Sequence, residues 1–219
     1  MQRYDIINKI IKQHGFKNYL EIGVCDPNIC FNLIECENKD SVDPGVEFGT
    51  NPVKYPYTSD EFFTKLNRNE LDKPGDFKWD IVFIDGLHIS EQVLKDINNS
   101  MQHLNPNGFI LLHDCNPPEI FYAREDYKVN GEYRPWNGTV WKALYYARTQ
   151  EYYKHFNICT VNTDWGVGIM RSEPENIRSL VPFENMFFEY NKMAETRKRD
   201  LGLIEVEELE DWLNKQLYI

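Results

Sequence analysis

The chain predicts an α/β protein with a doubly wound, Rossmann-like, mostly parallel sheet, helices on both faces and a terminal antiparallel strand pair. Three observations predict it. Short β-rich runs alternate with helical patterns at the spacing of βαβ units. The clearest strand, Trp79-Asp80-Ile81-Val82-Phe83-Ile84-Asp85, is a continuous apolar run of the kind found where both faces of a sheet are covered. Finally, 219 residues with 42% hydrophobic and 27% charged content suit one ordinary globular domain with a large core.

The elements follow in order. Ile6, Ile7, Ile10 and Ile11 form a helical stripe ending at Gly15, a C-cap residue. Tyr19 to Val24 reads as a buried strand entering a tight turn, Pro27 to Glu35 as a helix, and Lys39 to Asp43 as a short strand closed by Pro44-Gly45. Thr58-Ser59-Asp60-Glu61 starts a helix with a capping hydroxyl and an acidic first turn. After the strand at 79–85, Ser90-Glu91 caps a helix to His103 whose face carries Val93, Leu94, Ile97, Met101 and Leu104. Pro106-Asn107-Gly108 turns into the strand Phe109 to Asp114. Residues 115–137 are polar and rich in Pro and aromatics without periodicity, a candidate substrate loop. Gly138 to Arg148 is helical, Phe156–Val161 and Val167–Met170 form the strand pair, and a charged helical remainder follows. It ends in an amphipathic helix, Glu205 to Leu217, whose heptad-like leucines point to a homodimer interface.

Charge and cysteine content narrow the function. A formal charge of -11 repels polyanions, which excludes nucleic acid and anionic membranes as general partners. Five Cys at irregular spacing without a CxxC pair make neither a disulfide framework nor a zinc site. With no signal-like or membrane-spanning apolar run, the expectation is a cytoplasmic protein. Asn137-Gly138-Thr139 matches the N-glycosylation pattern, but nothing else in the sequence points to secretion.

Four strands carry acids at or near their carboxyl ends: Glu21, Asp43, Asp85 and the His113-Asp114 pair. Ligands of open α/β sheets bind there. As parallel neighbours, the strands ending at Asp85 and Asp114 place those carboxylates roughly 5 Å apart, which calls for a cation between them or one shared proton. The turn Gly23-Val24-Cys25-Asp26-Pro27-Asn28 has one Gly, a repelling Asp and a Pro without an N–H, so it opposes a pyrophosphate and hence NAD. A ligand with an amino group, a carboxylate and a ribose fits better. Glu21 can hold the ammonium and Asp43 the ribose hydroxyls, a description that S-adenosylmethionine (SAM) meets.

Tyr19-Leu-Glu-Ile-Gly-Val24, Ser41-Val-Asp-Pro-Gly45, Tyr57-Thr-Ser-Asp-Glu-Phe-Phe63, Phe83-Ile-Asp-Gly-Leu-His88, Leu112-His-Asp-Cys-Asn-Pro-Pro118, Trp136-Asn-Gly-Thr-Val-Trp-Lys142 and Asp164-Trp-Gly-Val-Gly168 occur in this order. Across about residues 16–172 the chain thereby resembles class I SAM-dependent methyltransferases, in particular a small family associated with polysaccharide and glycan biosynthesis. The second Gly of the usual cofactor turn is absent. The resemblance implies a single domain over 1–219, with a helical extension at 173–219, and SAM contacts at Glu21, Gly23, Asp43, Thr58, Ser59 and Asp85. It further implies a divalent cation, Mg²⁺ or Mn²⁺, on Asp85, His113 and Asp114.

The expected reaction is O-methylation of a sugar or glycan hydroxyl, with His88, Asp85 and Asp114 catalytic and His88 as base. Aromatic and polar groups of the long loop, Arg124, Tyr127, Trp136 and Asn137, are the candidate substrate contacts. Rival readings are a phenolic or amine acceptor, and a non-catalytic SAM- or glycan-binding module.

Overall fold

The apolar stripe of residues 6–11 becomes helix α1 (Arg3–His14), with all four isoleucines buried, and Gly15 at φ 66° caps it by donating its N–H to Ile11. Further along lie β1 (Asn18–Ile22), β2 (Asn38–Val42), α2 (Ser59–Asn67), β3 (Trp79–Ile84), α3 (Ser90–Gln102) and β4 (Leu104–Leu112). Then follow β5 (Lys128–Val129), β6 (Glu132–Tyr133), α4 (Val140–Thr149), β7 (Phe156–Val161), β8 (Val167–Ser172), α5 (Tyr190–Asp200), β9 (Leu203–Ile204) and α6 (Leu209–Asn214). This computed structural model describes residues 1–46, 52–173, 175 and 178–215. The hydrogen-bonded strand order is β2-β1-β3-β4-β8-β7-β9, a mixed and mostly parallel sheet, with β5-β6 as a separate pair.

The chain divides into two compact units. The first comprises Gln2–Leu87 and Gln92–Leu111; the second comprises Met1, His88–Glu91 and Leu112–Ile219. In the first, β1 pairs in parallel with both β2 and β3, in a register that sets Glu21 opposite Ser41 and Phe83. Strand β2 is polar in sequence, Asn38-Lys39-Asp40-Ser41-Val42, and lies at the edge of the sheet, where its buried Asp40 is satisfied. Asp40 accepts the indole N–H of Trp79 at 2.9 Å and pairs with Lys54 at 2.9 Å and Lys73 at 3.0 Å. A buried acid so paired avoids the desolvation penalty an isolated charge would carry. Around it pack Phe62, Phe63 and Trp79, all within 1% of full burial, each contributing about 1.5–3 kcal/mol by removal from water.

In the second unit, β7 and β8 pair antiparallel from Phe156↔Ser172 to Val161↔Val167, and β9 adds to β7 in parallel. All five cysteines are free thiols. No helix among the described residues is long and apolar enough to cross a membrane.

Four expectations need correction. Pro27 to Glu35 contains only a 3-10 turn, Phe31–Leu33, because the Asp26 carboxylate captures the backbone and side-chain amides of Asn28 and starts a turn instead. The loop at 115–137 is not without regular structure: β5 and β6 form a hairpin over Asn130-Gly131, both at positive φ, 53° and 81°. Strand β4 begins at Leu104, ahead of the expected turn at 106–108. The tail is a 3-10 turn, Val206–Glu208, followed by the short α6, rather than one long helix. Leu209 and Leu213 are buried within the chain itself, and Leu217 lies outside the described residues.

Candidate active site

In the first unit the ends of β1, β2 and β3 meet through tight backbone contacts. Gly23 donates its N–H to Val42 and Asp85 donates its own to Ile22, each at 2.8 Å. At φ 85°, a Cβ on Gly23 would stand 2.3 Å from the Asp85 carbonyl, so only glycine lets these strand ends approach. Beyond it, the turn folds onto Asp43, whose two carboxylate oxygens accept the N–H of Cys25 at 2.9 Å and of Gly45 at 2.7 Å. The Cys25 amide, a donor a phosphate would need, is therefore already used.

Glu21 is buried and accepts the Tyr19 hydroxyl at 2.5 Å. Burial pushes its carboxyl up to about 8, opposed by the Tyr19 hydrogen bond and reinforced by the negative charge of Asp85. Arg3 places Nη1 3.6 Å from the Asp85 carboxylate, and its charge also draws the Glu21 carboxyl downward. Arg3 was not among the sequence candidates, although one signal existed: a cation in the first turn of a helix opposes the macrodipole and needs another reason to be there.

Thr58 and Ser59 carry structural duties. The Thr58 hydroxyl accepts the Glu61 N–H at 3.2 Å while Glu61 accepts the Thr58 N–H at 3.0 Å, a reciprocal cap on α2. Ser59 accepts from Gln92 of α3 at 3.2 Å.

The second unit gathers His88, His113, Asp114, Trp136 and Asn137. Asp114, directly after β4, is buried at φ 59°, a backbone conformation costly for a non-glycine residue. Its Oδ2 lies 3.3 Å from His88 Nδ1 and 3.0 Å from His113 Nδ1, and its Oδ1 accepts the Asn137 amide at 2.7 Å. His113 Nε2 in turn lies 3.4 Å from Asp164. The His88 ring stacks on Trp136 with centroids 4.9 Å apart, and its carbonyl accepts the Thr139 N–H at 2.8 Å. A Cβ on Gly138 would strike that carbonyl at 2.1 Å, so the loop closes on His88 only through a glycine. Asn137 is fully buried with Oδ1 unpartnered, which also disqualifies it as a glycosylation acceptor in the folded chain.

Of the other substrate candidates, Arg124 staples its own loop. Its terminal nitrogens donate to the carbonyls of Phe121, Tyr127, Arg134 and Pro135. Trp136 donates its indole N–H to the Arg124 carbonyl at 2.5 Å, and half-exposed Tyr127 rests near Trp136 at 5.8 Å. The sequence candidates thus divide: Glu21, Gly23, Asp43, Thr58, Ser59 and Asp85 lie in the first unit, and the rest in the second.

Chemically, the second unit holds a carboxylate behind an imidazole. A carboxylate 3.3 Å from an imidazole nitrogen can stabilise the imidazolium that forms when the ring accepts a proton. Comparison with known proteins bears on the fold. Residues 42–115, about a third of the chain, match the family model of a methyltransferase domain. Among solved structures, the O-methyltransferase of Bacillus cereus in complex with SAH (S-adenosylhomocysteine) aligns with TM-score 0.51 and 13% identity, covering 78% of this chain and 80% of that one. A candidate O-methyltransferase of Klebsiella pneumoniae aligns with TM-score 0.51 and 11% identity over 78% and 80% of the two chains. The chain has an O-methyltransferase-like fold. No curated protein matches it in sequence.

Proposed function

We propose that this chain is a SAM-dependent O-methyltransferase whose acceptor is a hydroxyl of a sugar or glycan. The observation that carries the reading is the buried Asp114 carboxylate behind His88, next to the loop that supplies Trp136 and Asn137.

The first unit suits the cofactor. Its turn has the Cys25 amide committed to Asp43 and carries Asp26, so it disfavours a pyrophosphate, whereas Glu21, Asp43 and Asp85 suit a ligand with cationic and hydroxyl groups. The Asp43 carboxylate, at the end of β2, is the acceptor we assign to the ribose hydroxyls. Arg3 is matched to a carboxylate. Bound SAM supplies an electrophilic methyl group on a sulfonium.

The acceptor hydroxyl gives its proton to His88 Nε2, and Asp114 stabilises the imidazolium that results. Trp136 and Asn137 hold His88 and Asp114 in place. The metal assistance implied by the resemblance belongs to this proposal. His113 and Asp114 offer an imidazole and a carboxylate, and the orphaned Asn137 Oδ1 is an oxygen donor beside them, a set suited to Mn²⁺ or Mg²⁺. Asp85, in the first unit, is the further ligand that the resemblance implies. Such an ion would lower the pKa of a hydroxyl bound to it.

The test is release of SAH from SAM with methyl glycosides of glucose, galactose and mannose as acceptors, before and after EDTA dialysis. His88→Ala and Asp114→Asn should lose about 10²–10⁴ in turnover while keeping SAH affinity, and EDTA should abolish turnover. Normal turnover in His88→Ala would refute the assignment of the base.

A further inference from the structure

We propose that the turn between β7 and β8, together with residues 116–118 after β4, is a subsite for one neutral pyranose ring, with the indole of Trp165 as its stacking face. Calling that ring part of the methyl acceptor rests on the methyltransferase reading; the binding of a sugar does not.

Three independent features of the second unit coincide there. The first is a cavity of about 240 Å³ lined by Asn116, Pro118, Asn162, Asp164 and Trp165 among others. It is smaller than the roughly 300–1,000 Å³ of a pocket that takes a whole ligand, and so suits a single ring. The second is backbone strain. Asp164, Trp165 and Gly166 have φ of 45°, 65° and 92°, three consecutive left-handed residues of which only one is glycine. Such a conformation is costly for a non-glycine residue and persists only where the surroundings enforce it. Here Cys115 and Asn116 donate their N–H groups to Gly166 and Trp165, each at 2.9 Å, and a Cβ on Gly166 would lie 2.4 Å from the Asn116 nitrogen. What the strain achieves is to hold a tryptophan 42% exposed at the cavity rim, flanked by Tyr122 with ring centroids 5.3 Å apart.

The third feature is a pair of prearranged amides. Asn116 Nδ2 donates to Asn162 Oδ1 at 3.1 Å. Arg197 donates to Asn116 Oδ1, and Asn162 Nδ2 donates to Glu205 at 3.0 Å. Each Oδ1 retains a lone pair and Asn116 Nδ2 a second hydrogen. Both amides are therefore held in place before any ligand arrives, which lowers the entropy cost of binding. An apolar face beside fixed donors and acceptors matches the C–H face and hydroxyl rim of a pyranose. Because the lining has no Lys or Arg and includes Asp164, a neutral sugar is favoured over a uronic acid or a sugar phosphate.

Saturation-transfer NMR on the full chain tests this with methyl glucoside, galactoside and mannoside, methyl glucuronide as the anionic control, and catechol as the flat phenolic control. At least one neutral glycoside should give transfer to its C–H face, and the glucuronide should give none. Trp165→Ala and, in case that variant misfolds, Asn162→Ala should each weaken binding about tenfold or more while SAH still raises the Tm. Silence from every neutral glycoside, signals unchanged in both variants, or catechol binding in their place would overturn the subsite. Absence of any SAH-induced Tm shift in the parent chain would instead overturn the methyltransferase reading and leave the sugar result to stand alone.

Discussion

At the residue scale, Glu21 makes the sharpest statement about the cofactor. Its folded carboxyl titrates near 8 against an ordinary value of 4.5, because burial penalises the anion. Between those two values the folded chain binds more protons than the unfolded chain, so this group lowers stability as pH rises through that window. A cationic ligand beside it favours the anion, so binding near pH 7 should release a proton. Calorimetric titration of SAM in phosphate and in Tris should therefore give apparent enthalpies that differ by the buffers' ionisation heats, and Glu21→Gln should remove the difference. Identical enthalpies in the parent chain would show that Glu21 does not meet the cofactor. Glu21 was legible as a strand-end acid, but its protonation was not, since that depends on Tyr19 and on complete burial. Arg3 was missed because the pairing of a first-turn cation with Asp85 is set by tertiary structure rather than by local pattern.

At the scale of elements, sequence succeeded where a single period or cap governs the outcome. The isoleucine stripe, the Thr58 capping box and the apolar run of β3 all formed within two residues of expectation. It failed where local side chains compete with the backbone, as at Asp26, or where an element is only two residues long, as with β9. The Asn130-Gly131 hairpin was legible in principle, because Asn-Gly is a strong signal for a tight hairpin turn. The cap also separates two roles assigned to Thr58. If its hydroxyl serves only α2, Thr58→Ala should cost about 1 kcal/mol, lower the Tm by about 2–4 °C and leave SAH affinity unchanged. A loss of more than about tenfold in that affinity would restore Thr58 to the cofactor contacts.

At the scale of the whole molecule, the alternation of strands and helices was enough to predict the sheet class, and the order β2-β1-β3-β4-β8-β7-β9 agrees with it. Part of the acidic excess lies in Glu21, Asp43 and Asp85 of one unit and in Asp114 and Asp164 of the other. What the sequence could not show is how each carboxylate is spent: Asp43 on a turn, Asp40 on an indole and two lysines, Asp114 on two imidazoles and an amide. A phosphate-free cofactor is the central requirement of the proposed reaction. Isothermal titration of SAH and of NADH into the full chain tests it most directly. Binding of SAH that is lost in Asp43→Ala, with no binding of NADH, is the predicted result; binding of NADH with none of SAH would contradict it.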